Sequence, residues 1–464
     1  MIDAGIKKRI LRSLVIVLAL LGVLMLYIGY ISVWCAEDLA NNPFNLRKTS
    51  IQSEVRRGTI LDVNGEILAK TDNNGERIYP LAEVASTVVG YIGKNIGSDG
   101  IEQAENKELL GATADIGRLG PIAQLFQADK GNDIKLTIDI KAQQAAYDAL
   151  ASHKGAAVVL DAETGAVLAM VSTPTYNPND IEKNWGIIKN SADSPLLNRA
   201  TRGMYPPGST IKPVIADIAL QDAATDEQEI FNCTGKLDLG GGAFIGESHG
   251  EVHNKVNLGQ AIIESCNVTF GSLGIRLGAK NLSQGFERFG LTKPIEGEIS
   301  VGAANLPDFT RLAAGELAQL AIGQGELLVT PIHMALIASA FANNGVIMKP
   351  YLVQQITRPD GVVVQNAAIA KWQTATTPAM AAKINNYMVD VVSKGTGTRA
   401  KIAGVNITGK TGTAENSQGS DHAWFIGTAE VKNRHIALAV IVENGGAGGI
   451  VAAPIAKSII ASLL

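Results

Sequence analysis

The sequence predicts an α+β fold behind a single N-terminal transmembrane helix. Three observations predict it. An uncharged, apolar run extends from Ser13 to Ala36. A strand–turn–strand pattern over residues 156–171 is followed by a helical block between residues 210 and 343. Strand character then returns from Asn406 to Val442, ahead of a last helix starting near Ala453. A strand pair, then helices, then strands is not the alternating order of a parallel sheet, and it predicts an antiparallel sheet flanked by helices.

The apolar run is 24 residues long, enough to cross a bilayer core, which needs about 20 helical residues. Lys7, Lys8, Arg9 and Arg12 precede it, so the positive-inside rule puts residues 1–12 in the cytoplasm and everything from Glu37 onward outside. Tyr27, Tyr30 and Trp34 fall toward the outer end, where amphipathic rings favour the interface. A cleaved signal peptide would have a shorter apolar core and a small-residue cleavage site; Trp34 before Cys35 also spoils a lipoprotein-type site. The four flanking cations argue against a buried core helix.

Composition narrows the remaining 428 residues to an enzyme-like globular chain. The whole chain of 464 residues is 46% hydrophobic, 5% aromatic and 18% charged. Forty-four acids against forty bases give a net charge of −4, without the basic balance that a nucleic-acid partner would call for. Three cysteines are too few for a disulfide-built fold. The mean hydropathy of +0.14 comes mostly from the anchor, so a basic membrane stub carries an acidic external part.

Residues 37–130 are polar and mixed, with one hairpin signal, the apolar runs around Asn64-Gly65 between Gly58 and Ala69. The first strongly periodic helix lies over Asp139–Leu150. In the strand pair of 156–171, Thr164-Gly165 forms the turn. Helices are expected over 210–221, 257–278, 311–321 and 331–343, and strands over 406–413, 423–428 and 436–442.

Chemistry concentrates in three short patterns, each present once. In Tyr205-Pro-Pro-Gly208-Ser209-Thr-Ile-Lys212, two prolines and a glycine lead into a helix, with Ser209 expected at or near its N-cap. Lys212 lies three residues on, on the same face, so its amine can approach the Ser209 hydroxyl. Plain capping is the competing explanation, but no other serine here has a lysine at +3. As a base Lys212 needs a pKa well below about 10.4, which burial, a helix N-terminus or a second cation can supply. Lys410, in Lys410-Thr411-Gly412-Thr413, is a candidate cation, and Ser265-Cys266-Asn267 adds a hydroxyl and an amide. Strand alternation sends Lys410 and Gly412 to one face and Thr411 and Thr413 to the other, so a cleft using both meets the strand edge-on, with Gly412 allowing close substrate approach.

These three patterns, in this order, resemble those of the penicillin-recognising serine acyltransferases. Further stretches are similar to class B penicillin-binding proteins: Leu197-Asn-Arg-Ala-Thr201, His249-Gly250, Ile322-Gly-Gln-Gly325, Thr330-Pro331, Met334-Ala335, Gly395-Thr-Gly397 and His422-Ala-Trp-Phe425. Arg57-Gly58 with Asp62-x-Asn64-Gly65 resembles the non-catalytic pedestal of that class, which often has arginine where Val63 stands. The resemblance implies a serine-β-lactamase-like transpeptidase domain at 131–464, a pedestal at 37–130, the anchor at 13–36 and a cytoplasmic N-terminus at 1–12.

The implied activity is peptidoglycan D,D-transpeptidation. Ser209 attacks the D-Ala–D-Ala carbonyl of a donor stem peptide, Lys212 accepts its proton, and Ser265 with Lys410 protonates the departing D-Ala. An amine on a neighbouring stem peptide then takes the acyl group. Asn267 holds the donor amide, Thr411, Gly412 and Thr413 receive its carboxylate end, and the N–H groups of Ser209 and Thr413 form an oxyanion hole. β-Lactams acylate Ser209 as mimics of the donor. No cofactor is implied. Residues 37–130 are short for a polymerase domain, so an integral-membrane glycan polymerase contacting the anchor and pedestal is an expected partner.

Other readings use the same serine: a D,D-carboxypeptidase, a membrane-anchored β-lactamase, a β-lactam sensor or a non-catalytic β-lactam-binding scaffold. A lactamase needs a device to hydrolyse the acyl-enzyme, a sensor needs more membrane and cytoplasmic chain, and the intact motif set argues against a scaffold. No metal site is expected: His249 and His253 with Glu251 between them lie among glycines and have no evident third ligand. Cys233 and Cys266 could pair outside the cell, but the place of Cys266 in the S-x-N pattern favours a small buried thiol. His422 and Trp424 either line the cleft or belong to the core.

Overall fold

The computed structural model describes residues 4–35, 55–111, 129–416 and 419–464. The chain divides into two units, Met1–Arg56 and Arg57–Leu464. The first is described through helix α1 (Ala4–Trp34), of 31 residues. At 1.5 Å per residue it is about 46 Å long, more than a hydrocarbon core of roughly 30 Å. Its stretch Gly5–Ile31 is long and apolar enough to cross a membrane, and none of it is buried. The helix begins at Ala4, not Ser13, because Lys7, Lys8, Arg9 and Arg12 are good helix formers that extend the apolar segment backward. Residue 36, the expected end of the anchor, lies outside the described residues, as do 37–54.

In the second unit, in chain order, come α2 (Ile140–Leu150), β1 (Gly155–Asp161) and β2 (Val167–Thr173). Helices α3 (Lys212–Gln221), α4 (Leu258–Ile263), α5 (Asn267–Arg288), α6 (Ala314–Ala321), α7 (Pro331–Ala342) and α8 (Pro378–Lys394) follow. Strands β3 (Ile407–Ala414), β4 (His422–Val431) and β5 (Arg434–Val442) and helix α9 (Ala452–Leu463) complete the fold. The five strands form one antiparallel sheet in the order β3-β4-β5-β1-β2.

Both faces of this sheet are covered. Ala156, Val158, Leu160, Ile426, Ala437 and Ala439 join one hydrophobic core, against which α7 packs. Ala157, Val159, Phe425, Leu438 and Val440 join the other, shared with α2 and α9. Burial on both sides explains why β1 and β5 read as continuous apolar runs and not as alternation. Helix α7 is buried from Pro331 through Phe341, as a helix apolar all round must be.

The expected helix over 257–278 is two helices. Asn257 caps α4 through Gln260 N–H, the chain breaks at Glu264–Cys266, and α5 runs on to Arg288 with a kink at Gly278. Helix α8 was not anticipated, although Thr377 caps it by accepting from Met380 N–H and Pro378 occupies its first turn.

A second sheet draws on distant segments, in the order 363–366, 353–357, 133–136, 60–61, 67–71 and 77–78. Its Asn64-Gly65 hairpin is held by Asp62, whose carboxylate accepts from the N–H of Asn64 at 2.7 Å and of Glu66 at 2.8 Å. The same arrangement recurs at Asp72, Asn74 and Glu76. Beneath lies a buried charge cluster: Glu102, fully enclosed, pairs with Arg57 at 2.8 Å and Arg77 at 2.6 Å. Burial pushes the Glu102 carboxyl up, but Arg77 and Arg57 outweigh it and hold it below the usual carboxylate range. The pairing keeps one carboxylate charged where an unpaired charge would be strongly destabilising.

Candidate active site

Ser209 lies in a 3-10 turn (Gly208–Ile211) that runs directly into α3. It does not cap the helix: no capping hydrogen bond is made by a side chain there. The turn is closed instead by Thr210, whose hydroxyl donates to Pro207 O at 2.6 Å. That leaves the half-buried Ser209 hydroxyl without a hydrogen bond among the described residues, in keeping with a group kept available for reaction.

Three contacts clamp this turn from outside. Gly208 N–H donates to Gly323 O at 2.9 Å, and Trp424 Nε1 donates to Pro206 O at 3.0 Å. Against β3 the fit is tight at Gly412, where a Cβ would stand 2.9 Å from Thr210 Cγ2 and 3.1 Å from Pro207 O. Glycine at 412 is thus required by the packing of the strand against the nucleophile turn. Trp424, fully buried, belongs to the core. His422 is partly buried and accepts from Asn444 N–H at 3.0 Å.

Ser265, Asn267, Lys212 and Lys410 meet in one hydrogen-bonded group. Lys212 Nζ donates to Ser265 O at 2.5 Å, Asn267 Oδ1 at 2.7 Å and Ser265 Oγ at 3.3 Å. Lys410 Nζ donates to Ser265 Oγ at 2.9 Å and Thr411 O at 3.0 Å. The Ser265 hydroxyl therefore bridges two fully buried lysines. Ser265 sits in the break between α4 and α5 with φ +62, a left-handed conformation that costs a serine about 1 kcal/mol or more and that turns its carbonyl and hydroxyl to the lysines.

Two ammonium groups on one hydroxyl are electrostatically opposed. Burial pushes Lys212 down to about 8, with Glu247 and Cys266 partly restoring it. Burial, and then the Lys212 charge, pushes Lys410 well below the usual lysine range. The Ser265 carbonyl, the Asn267 amide oxygen and the nearby Glu247 carboxylate favour the charged form at Lys212 and oppose the effect of burial.

Strand β3 is the edge of the central sheet, and Lys410, Thr411, Gly412 and Thr413 pair with β4 at Ile426, Phe425, Trp424 and Ala423. Among the described residues no strand pairs with its other side, which leaves main-chain groups available to an extended ligand. Thr413 is exposed, whereas Thr411 is buried and its hydroxyl lies 2.6 Å from that of Thr396.

Several participants escaped sequence reasoning. Glu247 accepts from Asn267 N–H and Val268 N–H, both at 2.8 Å, and from the Cys266 thiol at 3.1 Å. Burial raises this carboxyl, but the two N–H donors, the thiol and the Lys212 cation together hold it below the usual range. It thereby fixes the N-terminus of α5, which carries Asn267. No local pattern marks it, since its partners lie 19 to 21 residues away. Glu443 joins Arg199 at 2.8 Å and Tyr205 at 2.7 Å, bracing the entry to the nucleophile turn. Cys233 and Cys266 are both free and buried. With Glu247 and His253 they form a cluster whose ligand-type atoms all lie within 4.8 Å of one another, a grouping that the His249–Glu251–His253 pattern did not suggest. The side chain of His249 lies outside the described residues.

Comparison with known proteins places this geometry. The family described as the penicillin binding protein transpeptidase domain matches residues 155–461, and the penicillin binding protein A dimerisation domain matches residues 57–128. The chain is 34% identical over 499 residues to the peptidoglycan D,D-transpeptidase PbpA of Mycobacterium tuberculosis, covering 98% of each. It is similar to the structure of penicillin-binding protein A from M. tuberculosis in its ceftriaxone acyl-enzyme complex, at a TM-score of 0.82 and 32% identity, covering 90% of this chain and 100% of that one. It is also similar to the D,D-transpeptidase domain of a peptidoglycan glycosyltransferase from Eggerthella lenta, at a TM-score of 0.80 and 35% identity, covering 88% of this chain and 98% of that one.

Proposed function

This chain belongs to the penicillin-binding protein transpeptidase family, and we propose that its described site performs the family's acyl transfer with the residues assigned below. It is a serine-type peptidoglycan D,D-transpeptidase that β-lactams inhibit covalently. The observation that carries the residue assignment is the Ser265 hydroxyl shared by two buried lysines, one of them a single turn of helix from Ser209.

Ser209 attacks the carbonyl between the two terminal D-alanines of a donor stem peptide, and neutral Lys212 takes its proton. The arriving donor carboxylate favours a cation at Lys410. Lys212 acts as the base in its neutral form, with Lys410 as the cation on the other side of the Ser265 hydroxyl. Ser265, resupplied by Lys410, protonates the departing D-Ala nitrogen. Asn267 holds the donor amide, and Thr411 and Thr413 receive the carboxylate end, with Gly412 keeping the strand against the nucleophile turn. The N–H groups of Ser209 and Thr413 stabilise the tetrahedral oxyanion, each donor contributing about 3–4 kcal/mol. An acceptor amine attacks the acyl carbonyl, Lys410, neutral after acylation, takes its proton through the Ser265 hydroxyl, and Lys212 returns its proton to the departing Ser209 oxygen.

Transpeptidation and simple hydrolysis divide at the acyl-enzyme. With a pentapeptide donor and an amine acceptor, the expected products are one D-Ala released per cross-linked product formed, with the acyl adduct mapping to Ser209 by mass spectrometry. A product consisting only of hydrolysed tetrapeptide would make the protein a carboxypeptidase, and rapid release of penicilloate from the penicillin adduct would make it a β-lactamase.

The apolar helix α1 serves as the membrane anchor, with the N-terminus inside and the enzyme outside; the basic residues of its first turns support this orientation. Residues 37–130 form the pedestal and 131–464 the transpeptidase domain. An integral-membrane glycan polymerase is the partner we assign to the anchor and pedestal. Cross-linking through positions within 13–110 in native membranes is expected to capture it; capture only through the catalytic domain would overturn the assignment.

A further inference from the structure

Thr411 carries a partner that the assigned reaction does not use. Helix α8 ends at Lys394, and the chain leaves it through Gly395-Thr396-Gly397. Two N–H groups close the helix: Gly395 donates to Asp390 O and Val391 O, both at 3.1 Å, and Gly397 donates to Val391 O at 3.0 Å. The segment is wedged from two sides. A Cβ at Gly395 would stand 2.9 Å from Ile263 Cγ2 of α4, and a Cβ at Gly449, just ahead of α9, would stand 2.4 Å from Thr396 O. Thr396 is thus an exposed residue on a closely held backbone, and its hydroxyl lies 2.6 Å from that of buried Thr411.

Thr411 is held on its other sides. Its main chain pairs with Phe425 of β4, its carbonyl accepts from Lys410 Nζ at 3.0 Å, and its methyl lies 3.7 Å from where a Cβ at Gly449 would stand. Only the hydroxyl proton is left to turn, and among the described residues the Thr396 hydroxyl is its one partner. A hydroxyl has one proton and two lone pairs, so without a ligand either threonine can be the donor. An ionised carboxylate only accepts. When the donor's terminal carboxylate arrives, the Thr411 proton has to turn to it, and the proton between the two hydroxyls must then come from Thr396.

We propose that Thr396 is a positioning residue for donor recognition: its hydroxyl donates to Thr411 Oγ1 and so directs the Thr411 proton at the terminal carboxylate of a donor peptide or a β-lactam. The inference rests on the assignment of Thr411 as a carboxylate-binding residue. Hydrogen bonds in series polarise one another, so a Thr411 hydroxyl that accepts from Thr396 is the stronger donor to an anion. The device favours donors that end in a free carboxylate. It also gives the end of α8 a part in the site, since the Gly395-Thr396-Gly397 exit is what presents the second hydroxyl to β3.

The test follows acylation of the full chain, in detergent, by a labelled penicillin, read as a second-order rate constant. Thr396→Val keeps the shape and removes the hydroxyl, and is expected to slow acylation by about tenfold, the scale of one hydrogen bond to a charged group. Thr396→Ser is expected to recover most of that loss, to within about threefold of wild type. Should the valine variant melt early, Thr396→Ala takes its place with the same expectation. A double-variant cycle tells action through Thr411 from independent action. Thr411→Val slows acylation by itself, and adding Thr396→Val to it is expected to cost less than about twofold more. Additive losses overturn the proposal, as do a Thr396→Val protein acylated at the wild-type rate and a serine variant as slow as the valine one. A Thr411→Val protein without any defect would withdraw the carboxylate assignment and the proposal with it. Absence of labelling in the wild-type protein would overturn the assigned reaction as well, whereas additive losses in a well-labelled protein overturn the proposal alone.

Discussion

In a Ser209→Ala protein, covalent uptake of labelled penicillin falls to background and D-Ala release slows by about 10⁵–10⁶-fold, the scale on which removal of a serine nucleophile acts. The expectation rests on position more than on the serine itself. The turn Gly208–Ile211 is clamped by Gly323, Trp424 and β3, and the Ser209 hydroxyl has no hydrogen-bond partner among the described residues. Alanine removes one oxygen and disturbs none of these contacts, so folding and thermal stability should stay within about 0.5 kcal/mol of wild type. The clamp separates loss of chemistry from loss of fold. Gel fluorescence with a labelled penicillin, alongside a melting curve, reads both at once; equal labelling of the variant would mean that another group is the nucleophile.

Replacing Lys212 by methionine is expected to slow acylation by about 10²–10⁴-fold, the usual range for a positioned general base. The pH dependence tells a base from a merely structural cation. Burial lowers Lys212 to about 8, and the neutral amine is the reactive form. The rate constant for acylation of the free enzyme should then rise tenfold per pH unit up to about pH 8 and level above it. In Lys212→Met that rising limb disappears. A limb that persisted would assign the base elsewhere. Because Lys410 shares the Ser265 hydroxyl with Lys212, the titration belongs to the pair, and Lys410→Met should displace the limb upward by removing the second cation.

The two lysines also mark how far the sequence could be read. Ser209 and Lys212 fall in one short pattern, since three residues of helix put both on the same face, and Lys410 is recognisable from its Thr-Gly-Thr neighbours. The strands of the central sheet were legible because burial on both faces leaves unbroken apolar runs, as in β1 and β5. Helix α8 went unread despite its Thr377-Pro378 start, since its apolar positions are interrupted by asparagines and a lysine. The strands at 353–357 and 363–366 went unread because they are short and the second is exposed throughout.

The sequence by itself determined the apolar N-terminal helix, the α+β order of elements, and the three short patterns that carry the reactive groups. Each is local: hydrophobic period, turn residues and near-neighbour spacing act over a few residues, so the chain displays them directly. Tertiary structure alone decided that the Ser265 hydroxyl stands between lysines 53 and 145 residues distant. It also decided that Glu247 fixes the start of α5, and that Gly412 serves packing. The gathering of Cys233, Glu247, His253 and Cys266 was settled there too. Such meetings depend on how helices seat against a sheet edge and on the break at Glu264–Cys266. No residue type announces a partner that packing brings from a hundred residues away.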